Sequence, residues 1–134
     1  AEGLAADGLF ALALDFSPAA LRRAVRRPAV AGRPGPGYAV ADVRQLPVAS
    51  GAFDAVLDKG CFDALRSRDC AAMLQEVCRV LRPGGCFICL SFGEALLRAH
   101  ARRLAAWAPA PGTPRPLSGL EDEIILHCYV RRAT

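Results

Sequence analysis

Three short apolar runs in this chain each stop at an aspartate, and that repetition constrains the fold more than any other feature. Leu9–Leu14 runs into Asp15, Tyr38–Ala41 into Asp42, and Phe53–Leu57 into Asp58. Apolar runs this short, bounded by turn-forming residues, have the length of buried strands rather than of amphipathic helices. A fourth run, Cys86–Phe92, is nearly all apolar, and Glu123–Val130 reads as a last strand with a tail from Arg131.

The segments between these runs read as helices and loops. Ser17 is a natural N-cap, with Pro18 at the first helical position, where its missing N–H costs nothing. A helix is expected from Pro18 to Arg27, followed by a Gly- and Pro-rich loop over Pro28–Gly37 and a connection over Asp42–Gly51. Met73, Leu74, Val77, Cys78 and Leu81 recur at helical spacing and predict a helix over Cys70–Leu81, stopped by Arg82-Pro83-Gly84-Gly85. Gly93–Trp107 reads as helical, and Pro109–Pro116 as loop. Strands alternating with helices, several of them apolar throughout, predict an α/β domain with a mostly parallel sheet and helices on both faces. The length of 134 residues suits one domain, 1–134.

In such sheets ligands bind beyond the carboxyl ends of the strands, where Asp15, Asp42 and Asp58 fall. Asp15 can accept hydrogen bonds from both hydroxyls of a ribose, or simply help cap the next helix beside Ser17. Phe16 can lie against an adenine ring or pack in the core. Asp42 can accept from the exocyclic amine of adenine while the Val43 N–H donates to a ring nitrogen, or it can form an Asx turn. Lys59 can pair with Asp58 or Asp63 at the surface.

Charge and cysteine usage narrow the function classes. The net charge of +4 comes from scattered arginine pairs and a single lysine, Lys59. No aromatic residues interleave with the pairs, so no nucleic-acid partner is expected. The apolar runs are too short for a membrane span, and no secretory pattern opens the chain. The six cysteines have mostly apolar neighbours and read as reduced and largely buried. Cys86 and Cys89 lie three apart in a strand, on opposite faces, so no metal site is expected. Cys61 has no histidine near it in sequence, which argues against a cysteine nucleophile.

Taken together, Leu14-Asp15-Phe16-Ser17-Pro18, Ala41-Asp42-Val43 with Leu46-Pro47, Phe53–Gly60, and Glu76–Gly85 with its Leu81-Arg82-Pro83-Gly84-Gly85 turn resemble consecutive motifs of the seven-β-strand (class I) S-adenosylmethionine-dependent methyltransferases. The run Asp58-Lys59-Gly60-Cys61-Phe62-Asp63-Ala64-Leu65 is similar to the branch that methylates lysines of elongation factor 1A or citrate synthase. In that branch Thr usually stands where this chain has Cys61.

The resemblance implies a Rossmann-like fold, S-adenosylmethionine as cofactor, and a cytoplasmic or mitochondrial enzyme methylating a lysine amine of an elongation factor or metabolic enzyme. It implies cofactor contacts from Asp15, Phe16, Ser17, Asp42, Val43 and Asp58. It places the reacting centre at Asp58, Lys59 and Gly60, with Cys61, Phe62, Phe92 and Trp107 toward the acceptor. The family's opening strand and Gly-x-Gly loop have no counterpart before Leu9, and Ala1–Gly8 reads as the end of a helix, so the expectation is a partial domain truncated at its N-terminus. A small-molecule methyltransferase of the same fold, and an inactive methyltransferase-like interaction module, are the alternatives.

Overall fold

The computed structural model describes residues 1–27, 35–92, 94–117 and 124–133. Most of the loop expected over Pro28–Gly37 lies outside these residues, as do Gly93 and Glu123, the expected first residues of a helical segment and of the last strand. The chain divides into two compact units, residues 1–43 and 44–134.

The first unit contains α1 (Glu2–Ala6), β1 (Leu12–Asp15), α2 (Pro18–Val25) and β2 (Gly37–Val40). α1 accounts for the expected helical end at the start of the chain. β1 and β2 pair in parallel, from Leu12 against Gly37 to Asp15 against Val40. Ser17 caps α2 as its sequence predicts: its side chain accepts from the Ala20 N–H at 3.3 Å, with Pro18 opening the helix. The buried strand expected from Leu9 is shorter and more open than that. Leu9 and Phe10 are 57% and 86% exposed, and no residue of β1 is fully buried. The reason is the partner strand: β2 begins only at Gly37, whose N–H bonds the Ala11 carbonyl, so among the described residues no strand pairs with those before Ala11.

The second unit contains β3 (Phe53–Lys59), α3 (Cys61–Ala64), α4 (Ser67–Val80), β4 (Leu81–Ser91), α5 (Glu94–Ala101), β5 (Trp107–Pro109), β6 (Arg115–Pro116) and β7 (Ile125–Arg131). Its strands run in the order β3-β4-β7-β5, with β6 also on β7. Only β3 and β4 are parallel; every pairing of β7 is antiparallel. The sheet is therefore mixed, where a mostly parallel one was expected. A parallel pair needs a long crossover connection, which α4 supplies between β3 and β4.

The core of this unit follows from α4. Cys70, Met73, Leu74, Val77 and Val80 form its buried stripe, and the helix packs on β4 and α5. Each such aliphatic side chain contributes about 1.5–3 kcal/mol on burial. The helix starts at Ser67, a turn before the expected Cys70. Along β4, Gly85, Phe87, Cys89 and Ser91 are buried, while Cys86, Ile88 and Leu90 are half-buried on the other face. The Arg82-Pro83-Gly84-Gly85 turn bulges out of the strand ladder: Phe53 pairs with Leu81, yet Ala55 already pairs with Cys86.

Two further expectations change. Trp107 opens β5 instead of closing a helix, and Pro109–Pro116, expected as loop, supplies the end of β5 and the whole of β6. Both are short edge segments, where proline's missing donor is tolerated.

Candidate functional site

In the first unit the parallel pairing of β1 and β2 brings their carboxyl ends side by side. Asp15 stands opposite Val40, and Asp42 follows two residues later. The Ala41 N–H donates to the Asp15 carbonyl at 3.1 Å, which ties the two strand ends together. Asp15 Oδ1 accepts from the Ser17 N–H at 2.7 Å, an Asx-type bond that fixes the carboxylate at the mouth of α2. Its other oxygen accepts no hydrogen bond among the described residues, and the side chain is exposed. Phe16 is 76% exposed, so it is not the core residue that its alternative reading required. The structure thus gathers Asp15, Phe16, Ser17, Asp42 and Val43 at one end of this unit.

In the second unit the parallel β3 and β4 also end together, Lys59 facing Leu90. Asp58 is only 5% exposed. Burial of a carboxylate is tolerated when donors replace its water, and here three do. Asp58 accepts from the N–H groups of Cys61 at 2.9 Å and Phe62 at 3.0 Å, and from the Cys89 thiol at 3.4 Å. It therefore caps α3, the four-residue helix that follows. Gly60 makes the turn into that helix at φ +83°, a conformation that side chains disfavour. Lys59 is exposed while Asp58 is buried, as expected where successive strand residues face opposite ways. No ion pair joins Lys59 to Asp58 or Asp63 among the described residues.

The expected acceptor-side residues separate. Cys61 is exposed next to the Asp58 turn, and Phe92 is 63% exposed just beyond β4. Phe62 is 1% exposed and packs edge-on against the His100 ring, which makes it a core residue. Trp107 is 5% exposed and pairs with Arg131, whereas Ser91 at the other end of the sheet pairs with Ile125. Along β7 those positions are about 20 Å apart at the usual strand rise.

Compared with known proteins, residues 1–85 match the model of a family described as a methyltransferase domain. The chain belongs to that family. The methyltransferase domain is 37% identical over 102 residues to the malonyl-[acyl-carrier protein] O-methyltransferase of Methylococcus capsulatus, covering 75% of this chain and 34% of that protein. It is 38% identical over 77 residues to the eEF1A lysine and N-terminal methyltransferase of Danio rerio, covering 54% of this chain and 11% of that protein. The chain thus spans about a third or less of the length of these relatives, which fall on both sides of the small-molecule and protein-lysine divide.

Among solved structures, the methyltransferase in complex with the Haloferax volcanii Trm112 activator superposes with a TM-score of 0.73 at 18% identity, covering 98% of this chain and 79% of that one. The magnesium protoporphyrin IX methyltransferase of Synechocystis with bound SAM gives 0.75 at 17% identity, covering 98% and 64%. These likenesses show that the methyltransferase domain has the Rossmann-like α/β fold of such enzymes.

Sequence reasoning named Asp63 and Glu76 without finding the contacts through which they and Arg79 shape the domain's second unit. Asp63 bridges α3 to the end of β4: it accepts from the Ser91 hydroxyl at 2.5 Å and from the Phe92 N–H at 3.0 Å. The available signal was Ser91 itself, a hydroxyl closing an apolar strand. Glu76 and Arg79 on α4 hold residues 46–50. Arg79 donates to Glu76 and to the carbonyls of Leu46 and Val48, while Glu76 accepts from the Leu46 N–H at 2.7 Å. The hydrogen bonds from Arg79 hold the Glu76 carboxyl below the ordinary carboxylate range. Burial, then the adjacent Asp58 charge, push the Cys89 thiol far up, so that it stays protonated. Burial also raises Cys70.

Proposed function

We propose that this methyltransferase domain binds S-adenosylmethionine and serves methyl transfer to a small organic acceptor. The observation that carries the cofactor reading is the position of Asp15, opposite Val40 at the end of β1, with Asp42 two residues beyond the end of β2. The residues fit a nucleoside: an exposed carboxylate with an oxygen to spare, an exposed aromatic ring beside it, and a second carboxylate one strand over.

In this reading Asp15 accepts from the ribose hydroxyls, Asp42 accepts from the adenine amine, the Val43 N–H donates to the ring, and Phe16 covers the base. When bound, the cofactor supplies an electrophilic methyl group on a sulfonium. The protein's part is then alignment and exclusion of water rather than bond-making. Within the second unit, Asp58 and Gly60 shape the turn that presents the exposed Cys61, and Asp63 holds the backbone of the exposed Phe92.

The choice of acceptor leans on the relatives. The similarity to the malonyl-carrier O-methyltransferase runs over more of this chain than the similarity to the eEF1A lysine methyltransferase. Protein-lysine methylation is the second reading, supported by Asp58-Lys59-Gly60-Cys61-Phe62-Asp63 and by that second relative.

The test uses the full-length protein with methyl-labelled S-adenosylmethionine in a cell lysate. Label in the low-molecular-weight fraction is expected. Label confined to protein would reverse the order of the two readings. Calorimetry checks the cofactor separately: saturable binding of S-adenosylhomocysteine is expected, and its absence would remove the basis of both.

A further inference from the structure

The second unit holds a cavity of about 380 Å³ whose known neighbours do not involve Asp58, Cys61 or Phe92. It lies where the end of α5 meets β5 and β7. Arg98, Arg102 and Arg132 line it, with Trp107, Tyr129 and Pro109 as its apolar part. The strand register puts Trp107 and Arg131 at the far end of the sheet from Ser91, so the cavity is remote from the candidate acceptor residues.

Three features set the chemistry of an occupant. The volume falls in the range of small-molecule sites. Its charged side chains are all cationic; among the described residues no carboxylate lines it. Guanidinium groups only donate hydrogen bonds, and they favour carboxylate and phosphate oxygens. Trp107 and Tyr129 meet edge-on with ring centroids 6.3 Å apart, and an aromatic body extends such a cluster.

We infer that this cavity is a second ligand site, for a small organic anion carrying a carboxylate or phosphate on an aromatic body. The acidic group meets Arg102 and Arg132, and the ring lies against Trp107 and Tyr129. The site does not depend on the methyl-transfer reading.

The experiment follows the indole N–H signal of Trp107 by NMR in the full-length ¹⁵N-labelled protein, assigned by its loss in Trp107→Phe. The probes are 4-phenylbutyrate and its neutral counterpart 4-phenylbutan-1-ol. The acid is expected to shift the Trp107 signal saturably, with the alcohol about tenfold weaker or more. The double variant Arg102→Gln/Arg132→Gln is expected to weaken the acid about tenfold and leave the alcohol unchanged; a tenfold change corresponds to 1.4 kcal/mol. Both arginines are exposed, so their replacement does not threaten the fold. No shift with the acid, equal affinity for acid and alcohol, or an unchanged acid affinity in the double variant would each overturn the inference.

Discussion

At the scale of single residues, the carboxylates divide into those that face solvent and those that hold the fold. Asp15 belongs to the first kind. Asp15→Ala in the full-length protein is expected to weaken S-adenosylhomocysteine binding by about 10- to 100-fold, the loss of one or two charge-assisted hydrogen bonds, while the melting temperature barely moves; calorimetry beside a thermal melt reads both. Glu76 belongs to the second kind. Its carboxyl is depressed by the Arg79 hydrogen bonds, so its contribution is present above its unfolded-state pKa and is lost as pH falls through the folded one. Glu76→Gln should therefore lower stability by about 1–3 kcal/mol near neutral pH. Denaturant titrations should show the gap between wild type and variant closing in strong acid, and a gap independent of pH would contradict the assignment. Cysteine reactivity divides the same way. Cys61 is exposed, whereas Cys70 and Cys89 are buried with raised thiol pKa values. Mass spectrometry after brief iodoacetamide treatment of the native protein is expected to find Cys61 modified well before either. The strand-end aspartates were legible in the sequence because each closes its own apolar run. The roles of Asp63, Glu76 and Arg79 were not, because the strand and loop groups they hold stand 28 to 33 residues away and only the fold brings them close.

At the scale of elements, apolar runs and helical periodicity located β1 to β4, α2 and α4, and misjudged mainly their ends. What stayed hidden was anything set by a partner: the late start of β1, and the edge segments β5 and β6, whose prolines read as loop until β7 pairs with them. The bulge near the start of β4 shows how one glycine carries such a feature. A Cβ on Gly85 would lie 2.9 Å from the Arg82 carbonyl oxygen and 3.0 Å from that of Asp54, both backbone atoms that cannot swing aside. Next to it, Gly84 has open space around it and only a positive φ, +78°, to object with. Gly85→Ala is therefore expected to cost about 1–3 kcal/mol through overpacking of β3 against β4, and Gly84→Ala about 1 kcal/mol through backbone strain. Chemical denaturation of the two variants ranks them, and the reverse order would show that the bulge yields more easily than its contacts imply.

At the scale of the whole molecule, the two units differ in how much they bury. Among the described residues of 1–43 the buried apolar ones are Ala5, Leu21 and Ala41, while Leu9, Phe10, Phe16, Val25 and Val40 are more than half exposed. Two alanines and a leucine make a small driving force: burying Leu21 contributes about 1.5–3 kcal/mol, against an ordering cost of about 1–2 kcal/mol for every residue fixed. A two-stranded sheet is also marginal in water without further strands or a packed face. Residues 44–134 stand differently, with Phe62, Met73, Leu74, Val77, Val80, Leu81, Phe87, Leu97 and Trp107 all buried around β4 and α4. Expressed separately, residues 44–134 are expected to give helical circular dichroism and a cooperative melt, and residues 1–43 an unfolded spectrum with undispersed amide signals. Stable structure in the isolated first segment would mean that local turns and the Ser17 cap stabilise it far beyond their usual worth of about 1 kcal/mol. Asp15, Asp42 and their neighbours would then be organised by the first segment itself, without the rest of the chain.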